Sequence, residues 1–360
     1  MEQFIFDQMQ AHNYENIFFC QQKMFGLKAI VVIHDTTLGP AAGGIRMWPY
    51  ATEADAIQDA LRLARGMTYK NAAAGLPYGG GKCVVIGDPK RDKTEALLRV
   101  LARFIHRLGG LFLTGVDVGT NLNDMEVMRM ETPYVVTVSE ALGGPGNSSA
   151  ATAFGVFQGI RACLREVFGS PIPQGRTVAV QGVGAVGKEL VKHLVETGAM
   201  VTIADVDQEK TSLLAAQYHV NVVQPEEIHR LDVDVYSPCA MGAVLNEQTV
   251  PELRCKIVCG SANNQLAEEQ HGDLLAQRGI LYAPDYIVSA GGVITGLDSL
   301  NPGGFNRQRA MEKVSHIYKT MGNVITISKE QNIPTYRAAD VLAEERIAMI
   351  RQVKNVATGR

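Results

Sequence analysis

Two lysines and one carboxylate stand close together early in the chain. Lys70 ends Gly66-Met67-Thr68-Tyr69-Lys70, Lys82 ends Gly79-Gly80-Gly81-Lys82, and Asp117 ends Thr114-Gly115-Val116-Asp117. Glycine allows close backbone approach and positive φ, so a lysine that follows three of them can reach into a tight, poorly hydrated site. Desolvation lowers a lysine's pKa, which lets it act as a general base near neutral pH. The plain alternative is a Gly-rich turn with a solvated lysine.

A second constellation lies further on. Arg176-Thr177-Val178-Ala179-Val180-Gln181 reads as a buried strand. Gly182-Val183-Gly184-Ala185-Val186-Gly187 follows at once and opens a helix through 188–197, and 201–205 is the next strand. In such a βαβ unit the first glycine permits the tight turn, the second lets a pyrophosphate approach, and the third packs helix on strand. Phosphate is held by the free amides and dipole of the helix N-terminus. Gly182, Gly184, Ala185, Val186 and Gly187 are therefore expected to bind a dinucleotide. Asp205, 18 residues beyond Gly187, is expected to hydrogen-bond the adenosine ribose and repel a 2′-phosphate, which favours NAD over NADP.

The elements that must position these residues are α/β in character. Short apolar runs at 29–33 and 83–86 read as strands. Apolar residues recur at three- and four-residue steps over 52–67 and 93–108, which reads as two helices. The loop Leu-Gly-Gly-Pro-Gly-Asn-Ser-Ser at 142–149 is a hinge candidate, and a helix follows over 151–167. Further strands are expected at 233–237, 256–259 and 280–282, each running into a polar or Gly-containing stretch where an open parallel sheet binds ligands. The segment 338–351 reads as an amphipathic helix. The expected architecture is an α/β substrate domain over 1–140, joined by the C-terminal helix 336–360, plus a Rossmann-type doubly wound dinucleotide-binding domain over 141–335, with a cleft and hinge closure between them.

Bulk properties exclude several classes. With 46% apolar and 20% charged residues and a net charge of -3, nothing favours nucleic acid or an anionic membrane as partner. There is no apolar run near the length of a membrane span, and the start lacks a secretory pattern. The six cysteines show no C-x-x-C spacing and read as reduced thiols of a cytoplasmic protein. No metal site is expected.

Nearly the whole chain, from about residue 36 to 349, resembles the glutamate, leucine, phenylalanine and valine dehydrogenases, with the leucine and phenylalanine enzymes nearest in motif. The resemblance rests on Thr37-Leu38-Gly39-Pro40, Gly43-Gly44, the Lys70 and Lys82 motifs, Ala262-Asn263-Asn264-Gln265-Leu266, Ala283-Pro284-Asp285-Tyr286 and Ala290-Gly291-Gly292. It implies NAD-dependent reversible oxidative deamination of a hydrophobic L-amino acid to its 2-oxo acid and ammonia, by a homo-oligomer. It implies that Lys70 binds the substrate carboxylate, that Lys82 is the general base activating water, and that Asp117 shuttles protons. Gly43, Gly44, Ala42, Gly115, Asn264, Val293 and Gly296 would border the substrate. Thr152, Cys239, Ala240, Ala262 and Asn263 would border the nicotinamide and its ribose. Two cations and an acid can hold an amino acid and stabilise charge at the carbon that loses hydride, while the cofactor carries the hydride.

Within that resemblance, glutamate-specific members carry a lysine where this chain has Ala42, so a glutamate side chain has no partner there. Leucine enzymes usually carry a leucine at Ala42, an alanine at Gly115 and a bulkier residue at Gly296. Three smaller residues imply extra pocket volume. Each methylene removed weakens a small aliphatic side chain by about 0.8 kcal/mol and makes room for a ring. Gly119-Thr120-Asn121 and Gly146-Asn147-Ser148-Ser149 also resemble phenylalanine enzymes, whereas Val293 and Asn71-Ala72-Ala73-Ala74 resemble leucine enzymes. The expected substrate is L-phenylalanine, with leucine or another branched-chain amino acid as alternative. Ser289 and 295–299 depart from the family pattern. A non-catalytic NAD-binding sensor on the same fold would have no need of Lys70, Lys82 and Asp117 together, and an amine dehydrogenase would have no need of Lys70.

Overall fold

The computed structural model describes residues 5–358. The chain divides into two compact units. One contains the residues up to Asn147, with Gly296–Arg307 and the residues from Ala343 onward; the other contains Ser148–Thr295 and Gln308–Leu342. The division falls in the Gly- and Pro-containing loop over 142–148. It differs from the expected domains in three respects: 141–147 and 296–307 belong with the first unit, and the C-terminal helix changes unit at Ala343.

The first unit contains α1 (Ile5–His12), β1 (Asn16–Gln22), β2 (Leu27–Asp35), β3 (Ala41–Trp48), α2 (Glu53–Ala73), β4 (Gly79–Ile86), α3 (Glu95–Arg107), β5 (Phe112–Val116) and α4 (Leu122–Arg129). Its sheet has the order β1-β2-β4-β3-β5. β1 and β4 run antiparallel to β2, while β3 is parallel to both β4 and β5. Thr52 caps α2 reciprocally with Asp55, one stable arrangement for a helix start. One face of the sheet buries Ile30, Val32 and Val84 against Ala56, Ala60 and Ala64 of α2. The other buries Val31, Ile33 and Cys83 among residues of α3 and α4.

The Gly-rich run before Lys82 is not a turn. Gly79, Gly80 and Gly81 are the buried opening of β4. They are glycine because a Cβ would lie 2.0 Å from Asp35 O at Gly79 and 2.1 Å from Thr68 N at Gly80. The backbone of α2 therefore lies directly on β4.

The second unit contains α5 (Ser149–Phe168), β6 (Thr177–Gln181), α6 (Ala185–Glu196), β7 (Met200–Ala204), α7 (Gln208–Tyr218), β8 (Asn221–Val222), β9 (Val235–Pro238), β10 (Ile257–Val258), α8 (Glu269–Gln277), β11 (Leu281–Tyr282) and α9 (Asp285–Val288). It continues with α10 (Gly291–Asp298), α11 (Arg307–Ser315), α12 (Ile317–Gln331) and α13 (Thr335–Thr358); α10 and α13 end in the first unit. The sheet order is β11-β10-β9-β6-β7-β8, and every pairing is parallel. This is the doubly wound order of a dinucleotide-binding fold, whose direction of winding reverses between β6 and β9. Among the described residues no helix is long and apolar enough to cross a membrane, and all six cysteines are unpaired.

Candidate active site

In the first unit the site is built on β4, β3 and β5, which lie side by side in that order. Ala42 pairs with Gly80 and Ile45 with Cys83, while Gly44 pairs with Gly115 and Ile45 with Val116. Side chains alternate between faces along a strand. Lys82 therefore points to the α2 face, like Gly80, and β3 presents Gly44 and then Arg46 beside it.

Lys82 is 4% exposed. Its Nζ lies 2.8 Å from Asp117 Oδ2, just past β5. Lys82 is thus buried rather than solvated, and it has an ion-pair partner that spacing alone does not reveal. Gly44 sits between the two strands' side chains. A Cβ on it would lie 2.7 Å from Val116 O and 2.8 Å from the Asp117 Cβ. The Asp117 amide donates to Thr120 Oγ1 at 3.0 Å, and that hydroxyl donates to Ile45 O at 2.9 Å, so β3 fixes the turn that aims the carboxylate.

Arg46 was not legible as a site residue, although its place two residues after Gly44 puts it on the Lys82 face. Its Nε donates to Asp117 Oδ2 at 2.9 Å and its Nη1 to Asp59 Oδ2 at 3.0 Å. Burial alone would push the Asp117 carboxyl up. The charges of Lys82 and Arg46 and their hydrogen bonds bring it down to about 2.

Lys70 is half-buried in the last turn of α2. The close approach of Gly80 to the Thr68 backbone brings the two motifs, twelve residues apart, side by side at the start of β4. The C-terminal helix secures this end of α2. Tyr69 Oη donates to Glu344 at 2.7 Å, Arg351 donates to Asp35 at 2.9 Å, and Ala343 and Ile347 pack on Leu38 and Ala72.

Ala42 is buried. Gly115 and Gly296 do not face open space. A Cβ on Gly115 would lie 2.6 Å from Thr137 Oγ1, and one on Gly296 would lie 3.2 Å from Thr137 Cγ2. The volume surrendered at these two positions is filled by one side chain, Thr137. That corrects the expectation of free pocket volume there, and no sequence signal marked Thr137, which lies 22 residues from Gly115.

In the second unit the carboxyl ends of β6, β7, β9 and β10 carry the expected cofactor-side residues. Gly182 has φ +94°, and a Cβ on it would lie 2.6 Å from that of Ala240, which follows β9. The two therefore meet where the winding reverses. At Gly184, the N-cap of α6, no atom lies within 4 Å of where a Cβ would stand, whereas at Gly187 a Cβ would lie 2.0 Å from Gly182 O. An open second glycine, a close-packed third, and the amides of Ala185 and Val186 opening α6 form a cradle that a side chain would fill. Asp205, after β7, accepts from the Val183 amide at 2.7 Å and the Asp207 amide at 3.0 Å, so its carboxylate is locked against the Gly-rich turn. These residues fit a dinucleotide.

The remaining residues cluster nearby in the same unit. The Cys239 amide donates to Gln181 O at 2.7 Å and the Ala262 amide to Pro238 O at 3.0 Å. Asn263 is exposed. Asn264 adopts φ +52° and donates its amide to Asp285. Thr152 opens α5 and donates its hydroxyl to Ser148 O at 3.1 Å. α10, which carries the half-buried Val293, packs against that start: a Cβ on Gly291 would lie 2.8 Å from the Thr152 amide. Ser289 caps α9.

Comparison with known proteins agrees with this division. Residues 16–134 match the model of the Glu/Leu/Phe/Val dehydrogenase dimerisation domain. Residues 143–209 and 203–354 match that of the glutamate/leucine/phenylalanine/valine dehydrogenases. The leucine dehydrogenase of Thermoactinomyces intermedius is 52% identical over 351 residues, covering 98% of this chain and 95% of that one. The phenylalanine dehydrogenase of the same organism is 44% identical over 354 residues, covering 98% and 96%. The crystal structure of an L-tryptophan dehydrogenase from Nostoc punctiforme superposes with a TM-score of 0.85 at 42% identity, covering 97% of this chain and all of that one.

Proposed function

The chain belongs to the glutamate/leucine/phenylalanine/valine dehydrogenase family and is an amino-acid dehydrogenase, and from that premise we propose that it oxidatively deaminates a branched-chain aliphatic L-amino acid, leucine foremost, with NAD as cofactor. The observation that carries the aliphatic reading is Thr137. It occupies the space that Gly115 and Gly296 leave, so those glycines do not by themselves make room for a ring. The leucine dehydrogenase similarity is in line with this. A second reading, L-phenylalanine, is favoured by the small, buried Ala42 and by the phenylalanine and tryptophan dehydrogenase similarities. Apolar side chains are intrinsically hard to discriminate.

When bound, NAD accepts the hydride from the substrate Cα. The rest is the work of the chain. Lys70 supplies a fixed positive charge for the substrate carboxylate. Lys82, in its neutral form, takes a proton from the water whose oxygen bonds to the imino carbon. Asp117 moves protons between the amine and the hydroxyl of the resulting adduct. Gly43 and Gly44 offer backbone with no side chain in the way, and the family resemblance assigns Ala42, Asn264 and Val293 to the substrate, with Gly115 and Gly296 acting there through Thr137, onto which they back. Gly182, Gly184, Ala185, Val186 and Gly187 would hold the pyrophosphate of NAD and Asp205 its adenosine ribose, and Thr152, Cys239, Ala240, Ala262 and Asn263 would border its nicotinamide and the attached ribose. The carboxylate of Asp205 supports NAD over NADP. The match to a dimerisation domain supports a homo-oligomer, and the unpaired cysteines fit a reducing, cytoplasmic compartment.

The test is NADH formation with leucine, valine, isoleucine and phenylalanine, compared by kcat/KM. A preference for leucine supports the aliphatic reading, and a preference for phenylalanine selects the second. Activity with NADP equal to that with NAD would remove the cofactor assignment.

A further inference from the structure

The groups around Asp117 are arranged asymmetrically. Lys82 Nζ at 2.8 Å and Arg46 Nε at 2.9 Å both fall on Oδ2, which leaves Oδ1 for a substrate. Arg46 is itself held at its far end. Its Nη1 reaches Asp59 Oδ2 on α2 at 3.0 Å, and Asp59 also accepts from Tyr50 Oη at 2.5 Å and from Arg62 Nη2 at 2.7 Å. Arg46, Asp59 and Asp117 side chains are each only 16–17% exposed.

We infer that Arg46 is the positioning residue of the proton-transfer pair: it clamps Oδ2 so that Oδ1 addresses the substrate, and it stops Asp117 from retaining a proton when Lys82 is neutral. The inference rests on the proposed function for its reaction, and on the geometry alone for its electrostatics. A lysine acting as a base passes through its uncharged form. If Lys82 were the sole partner of Asp117, the carboxylate would then be buried without a counter-charge, and such a group takes up a proton instead. A guanidinium does not deprotonate in proteins, so Arg46 makes the charge on Asp117 independent of the state of Lys82. Among the described residues, Asp117 is contacted by Lys82 from β4 and Arg46 from β3, and beyond Arg46 lie Asp59 on α2, Tyr50 and Arg62; Lys70, at the end of α2, is the further cation of the proposed site.

The experiment compares Arg46→Met, Arg46→Lys and Asp59→Asn with the parent enzyme, using leucine and NAD. Arg46→Met is expected to lower kcat about a hundredfold, the scale of a misplaced reacting group, with the leucine KM moved less than fivefold. The limb of kcat/KM that rises with pH should move to higher pH, because a cation that opposed protonation of the pair is gone. Added guanidinium ion should restore part of the turnover, and Arg46→Lys, a cation that cannot bridge both carboxylates, should fall between. Asp59→Asn should show a smaller kcat loss in the same direction. A kcat and a pH limb equal to the parent's, or a loss of turnover with neither a shifted limb nor guanidinium rescue, overturns the inference. Should the parent turn over no amino acid, the functional reading fails. The inference is then decided by the Asp117 carboxyl ¹³C resonance, identified by its absence in Asp117→Asn. A titration at least about one pH unit higher in Arg46→Met upholds it, and an unchanged titration overturns it.

Discussion

Lys82 Nζ and Asp117 Oδ2 are 2.8 Å apart although β3 separates the strands that carry them. Neighbouring strands lie about 4.8 Å apart, so the ion pair bridges roughly twice that distance. It can do so because the residue of β3 between them is Gly44. The same glycine that would offer backbone to a substrate thus opens the corridor through which the site's base and acid meet.

Gly44→Ala is expected to break this arrangement. Its Cβ would stand 2.7 Å from Val116 O and 2.8 Å from the Asp117 Cβ, and since the first of these is backbone, the chain after β5 has to move. A shift of about 1 Å in a reacting group costs on the order of a hundredfold in rate. The kcat for leucine should fall by that much while the affinity for NADH, followed by its fluorescence, stays within a factor of two. Full activity in Gly44→Ala would mean that the corridor is dispensable.

The depression of Asp117 to about 2 makes a stability prediction. A carboxyl whose folded value lies below its unfolded one stabilises the fold above the unfolded value, near 4, and that contribution is lost as pH falls toward 2. Its size is about 2 kcal/mol at neutral pH. Asp117→Asn removes it and leaves Lys82 without its counter-charge beside Arg46, which keeps only Asp59. The variant should unfold at lower temperature than the parent at pH 7, and the gap should narrow as pH drops from 5 to 3. A gap that widens on acidification would contradict the assignment of charge at Asp117.

Thr137 yields a specificity prediction. Thr137→Ala frees the space onto which Gly115 and Gly296 back, so the ratio of kcat/KM for phenylalanine over leucine should rise about tenfold, the scale of a methylene or two in an apolar pocket. Gly115→Ala alone should impair both substrates, because its Cβ would stand 2.6 Å from Thr137 Oγ1, and because that hydroxyl also accepts from the Val116 amide at 2.9 Å, next to Asp117. Combining it with Thr137→Ala should relieve the damage. An unchanged substrate ratio in Thr137→Ala would separate this side chain from the pocket.

What was legible in the sequence was whatever depends on local order. The Gly182–Gly187 turn, its flanking strand and helix, and Asp205 all lie within one βαβ unit, whose spacing is set by local geometry. The span of α3 and the start of α2 followed from their apolar periodicity, whereas α2 runs on from the expected 67 to Ala73 and so takes in Lys70. β3 and β5 escaped because glycines interrupt their apolar runs, and the strand expected over 83–86 was not extended back through Gly79–Gly81 because glycine is rare inside strands. Their reason for being glycine lies in partners distant along the chain: Asp35 from another strand and Thr68 from a helix. Arg46 and Thr137 were invisible for the same cause. Each acts through strand register or a close approach between segments, and neither residue type announces chemistry at its own position.

Asp205 carries the last prediction. Its two carboxylate oxygens each accept a backbone amide, Val183 on the Gly-rich turn and Asp207 beyond the strand, so it cannot easily swing away from an adenosine ribose at this sheet edge. A 2′-phosphate placed there would meet a fixed negative charge. Asp205→Ser keeps a small acceptor but removes the charge. The ratio of kcat/KM for NADP over NAD should therefore rise at least roughly tenfold, about 1.4 kcal/mol of relative preference, with the leucine KM nearly constant. The lost anchor to Val183 should also weaken NAD itself several-fold. If the NADP/NAD ratio is the same in Asp205→Ser as in the parent, discrimination resides elsewhere in the 182–187 turn or in the exposed Val206 that follows the strand.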